Sequence, residues 1–223
     1  MRKWSQGLAI VFVTAITGRA MAEGATIEVV KEKDQSLLAS FNHFDATCAS
    51  GLNSALDVQW NSSLTRADGT TTLQSVAFLT LHYVNTCTGD DVLYSGFALN
   101  TNGSVSTDLG HGHFDAVVPV MTDPDPETGL FLSGTVNVSL DFTANGATAT
   151  VRDHTHSKGG GVVTMNNFTV SSRPGVATGT ANATLQGNNG NTFNVELIGG
   201  QPSLSASLGK DGFGSMTIVT KAH

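Results

Sequence analysis

Four of the seven histidines fall in two close pairs, His111-Gly112-His113 and His154-Thr155-His156. On an extended chain, residues i and i+2 point to the same face with Cα atoms about 6.6 Å apart. Each pair therefore offers two imidazoles to one ion. Two such segments brought together would supply four nitrogens, a donor set suited to Zn²⁺ or Cu²⁺. Asp115 and Asp153 stand beside the pairs, where either could accept the second ring N–H of a ligating imidazole. The motif is short and common by chance, and a polar strand end with solvated histidines is the simpler reading.

The acidic groups point less clearly to chemistry. Asp90-Asp91 and Asp123, Asp125 and Glu127 could offer oxygens to Ca²⁺, but neither group has the spacing of a known calcium loop. Solvated loop charges are the simpler reading. No G-x-S-x-G elbow, phosphate loop, G-x-G-x-x-G or H-E-x-x-H occurs. Lys158 to Gly161 is Gly-rich but lacks the Ser or Thr and the helix of a phosphate loop, and reads as a turn. A glycan-binding platform would need exposed aromatic rings. Trp60 and Tyr83 lie in apolar strand patterns that suit a core, and only Tyr94 and the phenylalanines remain. Five N-x-[ST] sequons occur, at Asn61, Asn102, Asn137, Asn167 and Asn182, and they matter only in a eukaryotic secretory pathway.

The N-terminus reads as an export signal over residues 1–22. Arg2 and Lys3 precede an uncharged apolar run from Gly7 to Ile16, and Ala20-Met21-Ala22 offers small residues to a signal peptidase. The run is too short to span a bilayer, which needs about 20 residues. Cleavage leaves 223 − 22 = 201 residues, Glu23 to His223, enough for a sizeable core. It also removes three of the 11 basic residues, so 8 face 18 acidic ones and the net charge is −10. Nucleic acid and anionic membranes are poor partners for such a balance, because phosphate binding needs clustered Lys and Arg. A secreted or periplasmic location follows, with no transmembrane segment after cleavage. The only cysteines, Cys48 and Cys87, are expected to form one disulfide there. It would close a loop of about 40 residues, worth on the order of 4 kcal/mol.

The elements that must position these residues are strands. Val136, Val138, Leu140 and Phe142 alternate with polar residues, Asn145-Gly146 follows, and Ala147, Ala149 and Val151 resume the alternation. That pattern predicts a hairpin with a type I′ turn. Leu56, Val58 and Trp60 mark another strand, and Val76 to Tyr83 is apolar enough for a central one. Turns are expected at 66–69, 102–103 and 174–175, and no window shows helical periodicity. Regular short strands with Gly, Asn and Asp turns predict an all-β fold, an antiparallel β-sandwich with one disulfide.

A first β half, 23–121, carries both cysteines. The Pro/Asp-rich segment 122–129 reads as a linker, since two prolines remove backbone donors. A second half, 130–223, completes the chain, packed with the first as one domain. Val58-Gln59-Trp60 and Leu140-Asp141-Phe142, Ser95 to Ala98 and Thr178 to Ala181, and Phe114 to Val117 and Phe193 to Glu196 resemble one another at offsets of 82, 83 and 79 residues. Two similar halves would explain this; so would the reuse of strand-forming residues.

The compact Phe44-Asp45-Ala46-Thr47-Cys48, Cys87-Thr88-Gly89 after an apolar strand, the later V-x-L-x-F strand and Asp153-His154-Thr155-His156 together resemble a group of small exported bacterial proteins of unknown function. Its F-x-x-x-D-x-x-C spacing is shortened here. The resemblance implies export and pairing of the cysteines, and transfers no activity.

With no catalytic constellation, the sequence points to an exported, non-enzymatic binding or structural protein with a glycan or protein partner at the cell surface. The alternatives are a Zn²⁺ or Cu²⁺ protein using His111, His113, His154 and His156, and a glycan-binding or glycan-active sandwich.

Overall fold

The computed structural model describes residues 25–45, 52–67, 70–188 and 190–220. The export segment 1–22 and Cys48 lie outside the described residues. Eleven strands follow in order: β1 (Ala25–Asp45), β2 (Leu52–Ala67), β3 (Thr70–Asn85), β4 (Asp90–Leu99), β5 (Asn102–Val105), β6 (His111–Met121), β7 (Ser133–Ala144), β8 (Ala149–Gly159), β9 (Val162–Gln186), β10 (Thr192–Glu196) and β11 (Ser205–Thr220). Every pairing is antiparallel, and all the strands belong to one sheet. The strands expected to divide between two layers are thus hydrogen-bonded as a single sheet.

That sheet closes on itself. β9 pairs with β11 through Val162–Gly175 and with β7 through Gly175–Leu185. The ring runs β1, β2, β3, β4, β6, β7, β9, β11 and back to β1. Alternate residues point inward, and Leu37, Trp60, Tyr83, Tyr94, Phe114, Phe142 and Leu208 meet in one buried cluster. An eight-stranded closure is of a size that side chains can fill. Trp60 and Tyr83 are therefore core residues, as their apolar surroundings in sequence suggested, and Tyr94 is buried with them.

Two glycines close the ring at its tightest joints. Gly96 of β4 faces the Pro119 carbonyl of β6, and Gly179 of β9 faces the Ser139 carbonyl of β7. A Cβ at either position would collide with that carbonyl, so neither tolerates a side chain. They form one of the sequence-similar pairs.

Several turns differ from the sequence expectation. Asn145-Gly146 does not reverse the chain: β7 and β8 lie end to end along the same edge of β9, Ala144 opposite Gly175 and Ala149 opposite Ser172. The reversal comes at Gly160-Gly161, both at positive φ, between β8 and β9. Asn-Gly permits a tight turn without demanding one; here the Asn145 N–H donates to the Pro174 carbonyl instead. Pro174-Gly175 lies within β9, and Asn102-Gly103 opens β5. The segment 122–132 connects β6 to its hairpin partner β7, with Met121 opposite Ser133. Among the described residues, no helix is long and apolar enough to cross a membrane.

The longest strands outrun the ring. The first half of β1, the ends of β2 and β11, the start of β9 and all of β8 continue as a projecting sheet. Apart from Ala67, no side chain of Ile27–Lys33, β8 or the β11 segment 210–219 is buried. This sheet has two solvent-facing sides and no core of its own.

Candidate functional site

The two histidine pairs occupy different parts of the fold and opposite faces of the sheet. In β6, Phe114, Ala116 and Val118 fill the ring, so His111 and His113 point outward. In β8, His154 sits opposite Asn167 and His156 opposite Met165, on the face continuous with the ring interior. Register parity along β7, β9 and β11 keeps these faces distinct, so the four imidazoles do not converge. Among the described residues, no group of three or more His, Cys, Asp or Glu side chains is arranged to hold a metal ion.

His113 is the most engaged of the four. Its Nε2 lies 2.8 Å from Asp115 Oδ2 and its Nδ1 2.8 Å from Asp141 Oδ1. The hydrogen bond to Asp115 above all, then that to Asp141, raises the imidazole above its usual range against the opposing effect of burial. Asp115 is held low by the Ser139 hydroxyl and then by His113. When protonated, His113 donates from both ring nitrogens and presents no lone pair to a metal. Asp115 does contact His113, in a bridge between two carboxylates. Asp141 went unnoticed in sequence, because only the β6–β7 register brings it opposite His113.

The remaining candidates are also occupied or dispersed. His154 Nδ1 lies 2.6 Å from the Asn167 side-chain oxygen, while Asp153 points to the other face of β8. Asp90 is buried and accepts from the Thr88 hydroxyl at 2.6 Å and the Asn188 N–H at 2.9 Å, which ties down the loop after β9. Asp91 pairs with His82 at 2.8 Å. Asp125 accepts from the backbone N–H groups of Glu127 and Thr128 and from the Thr128 hydroxyl, which closes its own turn. These carboxylates serve loop structure. A depression of about 420 Å³ is an open trough beside Asn100, Asp115, Asn137 and Asn182 with no convergent acid–base groups.

The strongest chemical feature is on the projecting sheet, and it is a pattern of charge. Residues directly opposite across an antiparallel ladder share a face. Among the described residues, one face carries Lys31, Lys33, Arg66, Arg152, Lys158 and Lys210 and no acid. The other carries, among the same residues, Glu28, Glu32, Asp34, Asp153 and Asp211 and no base. Six of the eight basic residues of segment 23–223 thus lie on one side of one sheet. On the acidic side Asp34 lies directly opposite Asp211. Burial raises both carboxyls above their ordinary range, with a further push on Asp34 from Glu32 and Asp211. Both faces also expose apolar groups: Ile27 (60%) and Met165 (38%) on the basic side, Val151 (65%) and Phe168 (41%) on the acidic side. The signal was present in Lys31-Glu32-Lys33-Asp34, where charge sign alternates with the strand period.

No protein-family model matches the chain, and no curated protein matches it.

Proposed function

We propose that this is an exported protein without chemistry of its own, a binding or structural component at the cell envelope or outside the cell, with the projecting sheet as its working surface. The observation that carries the reading is the complete sorting of charge between two open faces of that sheet. A sheet left uncovered on both sides gains little from burial, so its retention argues for contact with a partner. The partner would be a protein or a glycan of the cell surface. Export rests on the Arg2-Lys3 start, the apolar run and Ala20-Met21-Ala22. The Cys48–Cys87 bridge fits the register, since Leu52 lies opposite both Asp45 and Asn85. Asp45, Leu52 and Asn85 thus lie at the same end of the sheet.

Ion exchange tests the working surface. Despite its net charge of −10, the mature protein is expected to bind a sulfonate cation exchanger at neutral pH and low salt through its basic face. The variant Lys31→Glu/Lys33→Glu/Arg152→Glu/Lys158→Glu should flow through. Wild type in the flow-through would end this reading. Material recovered from the periplasm or medium should begin at Glu23 and contain no free thiol; an intact leader would end the export claim.

A further inference from the structure

We infer that the projecting sheet docks a second copy of this chain, the basic face of one copy against the acidic face of the next. This rests on the projecting sheet being the working surface, and it names the partner. Three observations carry it. First, the two faces of one sheet are electrostatic complements: Lys31, Lys33, Arg152 and Lys158 on one side answer Glu28, Glu32, Asp153 and Asp211 on the other. A single kind of contact between identical chains thus satisfies both open faces, whereas an anionic polymer or lipid would leave the acidic face unpartnered. Second, the area suffices. Strands about 4.8 Å apart, with β8, β9, β11 and β1 about ten residues long and the ends of β2 and β3 shorter, make a face of roughly 20 Å by 35 Å. Stacking two such faces buries about 1,400 Å² in total, within the size of a stable interface. Third, apolar side chains are interleaved with the charges on both faces, Ile27 and Met165 on one and Val151 and Phe168 on the other. Sheets that stack face to face interdigitate such groups at a separation of about 10 Å.

The contact is heterologous, since different surfaces of the two copies meet. It therefore does not close a dimer; it leaves one basic and one acidic face free at the ends of every assembly. The products are rows of copies, with rings only if the rotation per copy happens to close.

Sedimentation velocity on the mature, oxidised protein tests this. At about 50 µM and about 20 mM salt, the weight-average mass should be at least roughly twofold that of the monomer, and it should fall to the monomer value near 0.5 M salt, where charge is screened. Two charge-reversed proteins provide the decisive arm: Lys31→Glu/Lys33→Glu/Arg152→Glu/Lys158→Glu, and Glu28→Lys/Glu32→Lys/Asp153→Lys. Each alone should be monomeric, and their equimolar mixture should associate. A urea melt equal to wild type shows that each is folded; a variant that fails it is replaced by the single changes Arg152→Glu and Asp153→Lys on β8, both fully solvent-facing. Wild type that remains monomeric at low salt, or variants that associate as wild type does, would overturn the proposal. A monomer that still binds the cation exchanger refutes self-stacking alone and leaves the working surface standing. In that case co-sedimentation with phosphatidylglycerol vesicles, but not phosphatidylcholine vesicles, would assign the basic face to an anionic surface instead.

Discussion

Replacing Gly179 with alanine tests the closure of the ring more directly than any core truncation. Gly179 has φ +142°, a backbone region that residues with a Cβ rarely enter. Forcing alanine there costs about 1–3 kcal/mol. The added methyl would also overlap the Ser139 carbonyl oxygen and lie 3.1 Å from Leu140 Cα. Both are backbone atoms of the β7–β9 ladder, so no rotamer change relieves the clash, and overpacking adds about 1–3 kcal/mol. The loss of chain entropy in the unfolded state returns about 0.4–1 kcal/mol. The terms span about 1–5.6 kcal/mol and centre near 3 kcal/mol of destabilisation. With a urea slope of roughly 2 kcal/mol per molar for a domain of this size, the midpoint should fall by about 1.5 M. Trp60, 1% exposed and the sole tryptophan of segment 23–223, reports the transition by fluorescence. Gly89→Ala is the matched control: its φ is +78° but no atom lies within 4 Å of the new methyl, so strain alone operates and about 1 kcal/mol is expected. Equal midpoints for the two variants would refute the claim that β7 and β9 meet closely enough to seal the sheet.

Tyr94→Phe should cost about 1–3 kcal/mol by the same melt, because the buried hydroxyl donates to the Gln186 carbonyl at 2.6 Å and its loss strands that oxygen. Burial also pushes the Tyr94 phenol up to about 12, so its phenolate absorbance should appear later in an alkaline titration than that of unfolded protein. His113 is raised in the folded state, so its stabilisation is complete below the unfolded value near 6.5 and fades as pH rises through the folded one. Exposure of the pair limits that slope to about a few tenths of a kcal/mol. Asp115→Asn should lower the His113 midpoint in an NMR titration, and an unmoved midpoint would contradict the assigned contact. Asp34 is raised, so its ionisation opposes folding at neutral pH and ceases to do so as pH falls through its folded value toward 3.8. Asp34→Asn should therefore raise the urea midpoint slightly at pH 7 and leave it unchanged at pH 3; a lower midpoint at pH 7 would show that the hydrogen bond from Ser63 outweighs the burial of the carboxylate.

The sequence alone determined the class of fold and the identity of the core. Period-two alternation in Leu56 to Trp60 and Val136 to Phe142 states which side chains turn inward, because successive residues of a strand point to opposite faces. The alternating signs of Lys31-Glu32-Lys33-Asp34 carry the same period, but their meaning emerged only once the neighbouring strands extended the pattern across a sheet. Strand neighbours were not legible. The Asn145-Gly146 pair looked like a reversal, yet the β8–β9 turn at Gly160-Gly161 makes it, because a turn forms where long-range ladders allow and not wherever the dipeptide permits. Only tertiary structure decided that His111 and His113 face away from His154 and His156, that Asp141 meets His113, and that one sheet closes into a ring. Register and face depend on pairings between residues far apart in the chain, where local alternation carries no record of the partner.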